Sequence, residues 1–493
     1  MKPFNILILL IIYTSYIGII RGEDVSVSLS MQEAMALART NSVEAEMALN
    51  QLKSAYWAFR SYKAELLPEL SFSATLPAYH RQYSPYMDES GSYMFVANNY
   101  LQLNGELSLT QNIWLTGGTL SVNSSLDFYR QLGSGSFNQF MSIPVALTLT
   151  QPIFGVNNIK WDRKIEPVRY EEAKANFMSA SESVALSAIQ YYFSFLLAKE
   201  NLSIARQNLE SAEKLYEVAV EKRNMGRISK NDLLQMELNL LDARTALTDC
   251  ESSYKSSMFQ LTTFLDFDEG TSIEAEVPLN VPLVEINYAD ALEKAETNNS
   301  FSKNIMRIQL EADYQVAKAK GAQREINLFA QVGYTGTDHF FAGSYYNLKS
   351  NQVVQIGFEI PIIDWGRRKG QVKVAQSNRK LVESQVRQET LNFRQNLFIL
   401  IERYGNQLQQ VQIAKRADEI AQRRFETNEQ TFLIGKISTL DLNDSRVTKD
   451  EARRNYINEL YMFWYYFYQI RSLTLWDYEH NCSIDSDIES LLR

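Results

Sequence analysis

"MGRISKNDLLQMELNLLDAR" (residues 225–244) and "IGKISTLDLNDSRVTKDEAR" (434–453) are two copies of one short turn, and this pair decides the fold. The glycines of the two copies, Gly226 and Gly435, lie 209 residues apart, as do the serines that follow them. Glycine adopts the left-handed conformation that ends a helix. Serine followed three residues later by aspartate is a capping-box pattern that begins the next helix. The repeat therefore predicts two helical hairpins, each reversing direction at one of these turns.

The segments on either side of the first turn have the pattern of coiled-coil helices. Residues 168–225 contain neither Gly nor Pro, and their apolar residues recur in steps of three and four. Such a heptad spacing is typical of left-handed supercoiled helices. The pattern resumes after the turn, so we predict helices from about residue 162 to 225 and from 229 to 265. A further helix is predicted over residues 30–67.

The 209-residue offset extends upstream of the turns, where Pro152 matches Pro361, so the two hairpins have arms of equal length. The first copy carries 48 extra residues before its long arm. Six segments alternate apolar and polar residues with a period of two, which indicates strands: 70–76, 107–113, 120–128, 145–151, 328–334 and 354–360. One face is apolar and the other is rich in Ser, Thr and Gln, as in an outer-membrane barrel. A soluble β-sandwich alternates too and remains the other interpretation.

The connections between these strands differ in character. Residues 79–100 and 336–350 are polar and rich in Tyr, so we predict long loops there. "TGG" at 116–118 predicts a short turn. The chain therefore has long connections at one end of the sheet and a short one at the other, which is the usual asymmetry of outer-membrane strands.

The ends of the chain and its composition restrict the class of protein. Residues 1–22 combine a basic start with an apolar run, which predicts a secretory signal peptide, with an uncleaved membrane anchor as the alternative. The net charge is −9 and no basic stripe stands out, which argues against nucleic acid as a partner. The three histidines lack metal-ligand spacing, and no phosphate-binding loop or nucleophile motif is present. We therefore predict no enzymatic activity, no cofactor and no metal site.

Four sequence elements, duplicated and in this order, resemble the TolC-type outer-membrane efflux proteins: "LPELSFSA", "LTLTQPIFG", "IPIIDWGRRKG" and the paired "G-x-I-S-x-x-D-L" turns. The resemblance covers nearly all of the chain after residue 22. It implies an α+β membrane protein built from two internal repeats. Its fold would be a trimeric transmembrane β-barrel in the outer membrane, continued by a long antiparallel coiled-coil α-helical barrel in the periplasm.

The resemblance also implies a function and partners. The homotrimer would be the outer-membrane duct of a tripartite efflux pump or a type I secretion system, passively exporting small molecules or proteins. A periplasmic adaptor protein would link it to an inner-membrane transporter of the RND or ABC type. Six strands per chain give an 18-stranded barrel, which we favour over the family's familiar 12 strands with an external hairpin. A non-transporting periplasmic coiled-coil scaffold is the alternative from another class.

Two sets of residues at the turns are candidates for these roles. The turns themselves would contact the adaptor, through Gly226, Arg227, Ser229, Gly435, Lys436 and Ser438. Members of the family often have aspartates that narrow the periplasmic entrance, and Asp441 and Asp444 stand at the matching place. Capping of the helix is another role for Asp441, and a solvated helix face is another for Asp444. The counterpart of Asp444 in the first copy is Gln235, so this carboxylate is not a feature of the repeat.

The repeat divides the chain into five parts. These are the signal peptide (1–22), the first repeat (23–266), an equatorial linker (267–287), the second repeat (288–475) and a C-terminal tail (476–493). The acidic tail is expected to be at the surface or partly disordered.

Overall fold

The computed structural model describes residues 26–133, 136–268, 271–278, 280–323, 325–359, 363–434, 436–484 and 488–491. The predicted signal peptide, Gly435, Pro361 and the end of the strand predicted at 354–360 lie outside these ranges. The chain forms two compact units. The helical unit comprises the described residues within Met1–Asn50, Phe177–Asn298 and Arg394–Asp487. The sheet unit comprises Gln51–Asn176, Asn299–Phe393 and Ile488–Arg493.

The elements follow one another in an order that repeats. In the first half they are β1 (Ser26–Leu29), α1 (Met31–Asn41), α2 (Val43–Glu65), β2 (Glu69–Met87), β3 (Tyr93–Ile113), β4 (Gly118–Gln131), β5 (Asn138–Pro152), α3 (Asn158–Asn224) and α4 (Lys230–Phe264). In the second half they are β6 (Ser272–Ala275), α5 (Tyr288–Asn298), α6 (Ser300–Gly321), β7 (Glu325–Asp338), β8 (Lys349–Glu359), α7 (Arg367–Leu433) and α8 (Thr439–Thr474). Two short strands, β9 (Trp476–Asp477) and β10 (Cys482–Ser483), and a final turn of helix, α9 (Ile488–Leu491), complete the chain.

The predicted hairpins are confirmed as α3–α4 and α7–α8. Helices α3 and α7 have 67 residues each, and the return helices α4 and α8 have 35 and 36. Each long helix therefore extends roughly 100 Å at about 1.5 Å per residue. The equal lengths agree with the 209-residue offset between the two sequence copies.

The single helix predicted over residues 30–67 is wrong, because the structure breaks it into α1 and α2 at Ser42. Ser42 has extended backbone angles, with φ −66° and ψ 147°. Its hydroxyl accepts the N–H of Ala45 at 3.2 Å, so it caps α2 as it ends α1. Serine is one of the residues that competes with the helix backbone in this way.

The core of the helical unit lies where α3 and α8 carry large apolar side chains. Tyr192, Phe195, Phe463 and Phe467 are fully buried there. The Tyr192 hydroxyl lies 2.7 Å from the Glu276 carbonyl oxygen, and it accepts the N–H of the same residue at 3.0 Å. It thereby holds the chain that leaves β6, which pairs in parallel with β1. Burial raises the pKa of Tyr192 to about 12.

All six predicted strands are confirmed, and in the sheet unit they form one antiparallel sheet in the order β2-β3-β4-β5-β7-β8. The extra hairpin of the first copy thus supplies β3 and β4 to the middle of this sheet. The "TGG" turn joins them, with Gly117 at φ +76°. Asn157 secures this turn by donating its side-chain N–H to the Trp114 carbonyl at 2.9 Å.

The two faces of the sheet differ as the alternation predicts. One face carries apolar side chains that are largely exposed: Leu70, Phe72, Leu107, Leu109, Val122, Leu147, Val332, Val354, Ile356 and Phe358. The other face carries a network of polar side chains. Asp127 accepts hydrogen bonds from Asn104 at 2.9 Å and Gln102 at 3.2 Å. Asn123 bonds to Ser108 at 3.0 Å.

The long loop predicted over residues 79–100 is wrong. Strands β2 and β3 continue through most of it and reverse only between Met87 and Tyr93. The polar residues of this stretch alternate with Tyr and Phe, which is compatible with a strand exposed on both faces. The loop predicted at 336–350 is confirmed in part, since β7 reaches Asp338 and a 3-10 helix at Ala342–Tyr345 precedes β8.

The C-terminal tail is more ordered than the sequence indicates. Strands β9 and β10 pair antiparallel, and Asp477 is buried, accepting a hydrogen bond from Arg471 at 2.9 Å. No helix within the described residues is long and apolar enough to cross a membrane.

Candidate functional site at the hairpin tips

The first tip is a helix end closed by glycine. Gly226 has φ +72°, in the left-handed region that other residues rarely enter. Its N–H donates to the Arg223 carbonyl at 2.9 Å, and the N–H of Arg227 donates to the Lys222 carbonyl at 2.8 Å. This pair of bonds is the Schellman motif, which satisfies carbonyls that the end of α3 leaves free.

The second tip repeats the first in the part that the structure describes. The N–H of Lys436 donates to the Thr431 carbonyl at 3.1 Å, across the same five residues that separate Arg227 from its partner. Arg227, Ser229, Lys436 and Ser438 are all exposed. Both tips therefore present at least one basic side chain to solvent, Arg227 at the first and Lys436 at the second.

Both return helices begin with the capping box that the sequence predicts. The Ser229 hydroxyl donates to the Asp232 carboxylate at 2.8 Å, and the Ser438 hydroxyl donates to Asp441 at 2.6 Å. The aspartate N–H groups donate back to the serine oxygens at 3.1 and 3.2 Å. The serine hydroxyls are the main reason that the pKa values of Asp232 and Asp441 are lowered. Asp441 thus stays ionised in more acidic solution than an ordinary aspartate.

Asp444 has a partner that the sequence analysis missed. Its Oδ2 lies 2.6 Å from Nη2 of Arg424, which reaches across from α7. The two residues stand at unequal distances from the turn, since α7 ends at Leu433 and α8 begins at Thr439, so the hairpin pattern alone does not predict this contact. The 209-residue offset places Leu215 and Gln235 at the matching positions of the first tip. The ion pair therefore belongs to the second tip and not to its counterpart.

The structure brings the two tips together around one cleft of about 520 Å³. Arg227 and Asp232 line it from the first hairpin, and Ile437 and Ser438 line it from the second. Lys222 extends over the ring of Phe432, 5.0 Å from its centre, and so links the two hairpins. Asp441 and Asp444 are one helical turn apart on α8 and are not among the lining residues.

A second, small cavity of about 50 Å³ lies further along the same four helices. Its apolar lining consists of Ala212, Leu215, Met236, Phe425, Phe432 and Leu442. The sequence did not indicate this cavity, because the pairing of these residues across hairpins depends on how α3, α4, α7 and α8 pack.

Ser438→Ala should loosen the start of α8 at the second tip. It removes the hydroxyl that accepts the Asp441 N–H, and such a loss costs about 1 kcal/mol of helix stability, or roughly fivefold in local opening. Hydrogen exchange of the amides at 439–442 should rise accordingly. Ser229→Ala is the matched control and should affect only residues 230–233. Unchanged exchange in both variants would contradict the capping role.

A cluster of possible metal ligands lies away from the tips. One ligand atom each of Asp477, Glu479 and His480 falls within 4.8 Å of the others. The Asp477 carboxylate already accepts hydrogen bonds from Arg471 and from the backbone N–H groups of Glu479 and His480. These bonds explain the arrangement as a turn that anchors the tail.

Comparison with known proteins gives both a family and a set of similar folds. The family model described as outer membrane efflux protein matches residues 34–265 and 306–462. No curated protein sequence matches the chain. Among solved structures, a membrane protein from Pseudomonas aeruginosa is similar with 13% identity and a TM-score of 0.66, covering 93% of this chain and 92% of that one.

Two further structures have the same fold. The CmeC outer membrane channel of Campylobacter jejuni is 15% identical, with a TM-score of 0.63 over 93% of this chain and 88% of that one. The outer membrane protein VceC of Vibrio cholerae is 14% identical, with a TM-score of 0.64 over 92% and 97%. At these identities the likeness concerns the fold alone.

Proposed function

Since the chain belongs to the outer membrane efflux protein family, we propose that it is the passive outer-membrane duct of a tripartite efflux pump or type I secretion system. Members of this family are non-enzymatic channels of the outer membrane, with helices extending into the periplasm, and they work with adaptors and inner-membrane transporters. The exported substrates are small molecules, such as drugs and toxic compounds, or proteins.

The observation that carries this proposal is the six-stranded sheet with one apolar and one polar face. Strands β2 and β8 lie at its edges and have no neighbour on their outer side among the described residues. An open edge is not tolerated in lipid, because its backbone groups find no hydrogen-bond partners there. Three copies, joined edge to edge, give a closed barrel of 18 strands. The apolar face then contacts outer-membrane lipid and the polar face lines the channel.

The order of the elements supports a doubled architecture within each subunit. We assign residues 1–22 to a signal peptide, 23–266 and 288–475 to the two repeats, 267–287 to the linker between them and 476–493 to the tail. Each repeat contributes helices, strands and one long hairpin. A trimer then presents six hairpin tips in a ring, which is the closed symmetry usual for homo-oligomers.

The tips are the surface we assign to a periplasmic adaptor protein, which in turn recruits an RND or ABC transporter. The exposed cations Arg227 and Lys436 stand beside a cleft to which both tips contribute. The contact set is Gly226, Arg227, Ser229, Gly435, Lys436 and Ser438. A helical hairpin of an adaptor fits such a surface, since grooves between helices accept the ridge of another helix.

The gate we assign to Asp441 and Asp444, which lie one turn apart near the start of α8. Three subunits give a ring of carboxylates, which favours cations. The Arg424 guanidinium on α7 lies 2.6 Å from the Asp444 carboxylate and so ties it to the other arm of the hairpin. Opening of the entrance would then require this pair to move with the second hairpin as a unit.

Reconstitution in planar bilayers tests the proposal directly. The wild-type trimer should conduct and prefer cations, whereas combined Asp441→Ala and Asp444→Ala should lower the ratio of cation to anion permeability several-fold. Asp232→Ala is the matched control, because it removes the same capping carboxylate from the first tip. Conductance with unchanged selectivity would contradict the gate. Absence of conductance, with a soluble periplasmic location, would instead favour a non-transporting scaffold.

A further inference from the structure

Strands β2 and β3 extend well beyond the rest of the sheet. Pairing between β3 and β4 ends at Tyr100 and Gln131, whereas β2 and β3 stay paired from Arg81–Asn99 to Met87–Tyr93. We call these seven pairs, residues 81–87 and 93–99, the ribbon. At about 3.4 Å per residue the ribbon projects roughly 24 Å past the sheet. It is closed by a turn in which Asp88 accepts the N–H groups of Ser90 and Ser92.

The ribbon exposes an unusual amount of aromatic surface. Large apolar side chains that solvent reaches include Tyr83, Tyr86, Met87, Tyr93, Met94 and Phe95, with Phe95 74% exposed. A two-stranded hairpin alone is only marginally stable in water. Apolar patches of this kind on a protein surface mark interaction sites. We therefore expect the ribbon to have a binding partner.

The face of β3 on which the ribbon's side chains lie indicates which surroundings contact the ribbon. Strand β3 is paired with β2 without a bulge on its own side, so its odd-numbered residues from Leu109 through Leu101 to Phe95 and Tyr93 share one face. The part of that face that lies within the six-stranded sheet, with Leu107 and Leu109, is the one we assign to lipid. The ribbon therefore continues directly from the lipid-contacting surface into the layer that covers the acyl chains.

The length of the ribbon distinguishes between a phospholipid headgroup layer and a thicker saccharide layer. The headgroup region of a phospholipid bilayer adds only about 5–8 Å to each side of the hydrocarbon core. The ribbon is roughly 24 Å long at about 3.4 Å per residue, which is about three times the thickness of the headgroup region. A phospholipid surface would leave Phe95 and Tyr93 in water, whereas a layer of lipid-linked sugars is thick enough to reach them.

The side chains of the ribbon suit sugars. Aromatic rings attract polarised C–H groups to their negative faces, and the face of a pyranose ring presents such groups. Tyr, Ser and Asn together provide rigid contact area and adaptable hydrogen bonds, as in antibody combining sites. Arg81 is the one charged residue of the two ribbon strands, and Asp88 and Glu89 lie in the turn that joins them. Building on the proposed function, we propose that the ribbon binds the saccharide headgroups of outer-leaflet glycolipids.

Titration of the full-length mature protein in detergent with the soluble core oligosaccharide of lipopolysaccharide tests this proposal. Combined Tyr83→Ala and Phe95→Ala should weaken binding about tenfold, from the loss of two ring contacts. Phe358→Ala is the matched control, since Phe358 is 69% exposed at the opposite end of the same face. It should leave saccharide binding unchanged.

Two further measurements on the same preparations, conductance and heat-modifiable migration, test the proposed duct separately from saccharide binding by the ribbon. If the wild-type protein forms a conducting barrel but does not bind the oligosaccharide, the saccharide proposal is overturned and the duct is not. If no barrel forms, the proposed function itself fails. Tyr93→Cys, with Cys250 and Cys482 replaced by serine, tests for cross-linking between subunits. Efficient cross-linking would overturn the saccharide proposal, because it would identify a second copy of the chain as the partner of the ribbon.

Discussion

Val354→Lys should remove most of the assembled, heat-modifiable trimer from the outer membrane. Val354 is 72% exposed at the centre of the eleven-residue strand β8, on the apolar face. In the barrel we propose, this position faces the middle of the lipid. A lysine there costs roughly 2–4 kcal/mol, because its charge loses hydration that lipid cannot replace. Fractionation and migration of unheated samples on a gel measure the loss.

The neighbouring valine is the control for this experiment. Val353 pairs with Gln331 on the polar face and is 37% exposed. Val353→Lys makes the same chemical change one residue away, but the side chain points to the opposite face of the strand. Assembly should persist in this variant, with altered ion selectivity. Equal loss of trimer in both variants would contradict a lipid-contacting face.

Glu182→Ala should lower the free energy of unfolding of the helical unit by about 3–5 kcal/mol. The Glu182 side chain is only 2% exposed and joins two arginines, Arg39 on α1 at 2.7 Å and Arg471 on α8 at 3.0 Å. Its removal leaves two guanidinium groups close together, with the Arg471 side chain only 13% exposed and the Arg39 side chain 30% exposed. Arg471 retains Asp477 at 2.9 Å, but Arg39 has no other ion-pair partner among the described residues.

Thermal unfolding followed by circular dichroism in detergent measures this effect. Glu213→Ala breaks an ion pair with Arg244 in which both side chains are about half exposed. Such surface pairs contribute roughly 0–1 kcal/mol, so this control should melt near the wild-type temperature. A melting temperature for Glu182→Ala that matches the Glu213 variant would show that the buried carboxylate does not hold α1 and α8 to α3.

The hairpins and their tips were predictable because their signals are local. A heptad pattern requires only neighbours along one helix, and a capping box links residues three apart. The two capping boxes occur in the structure as the sequence predicts, at Ser229 and Ser438. The break at Ser42 was not predicted because its local signal is weak. A single serine without Gly or Pro nearby is compatible with a continuous helix.

The candidate site was predictable only in part. The sequence singles out the tips and the two aspartates, but it does not reveal that Arg424 pairs with Asp444 or that both tips line one cleft. The first of these depends on the register in which α7 and α8 pack against each other. The second depends on how two hairpins pack side by side, a contact between residues about 200 positions apart.

What the amino-acid sequence determined by itself is the doubled order of elements, the length of the helical arms and the alternation of the strands, because each arises from interactions within a few residues. Only the tertiary structure shows which elements lie next to one another. It places β3 and β4 in the middle of the sheet, extends the ribbon beyond it, and sets Glu182 between two arginines. A strand's polar and aromatic residues do not reveal whether another strand lies beside it. Pairing is set by the hydrogen bonds and packing of segments far apart in the chain, which only the folded arrangement brings into contact.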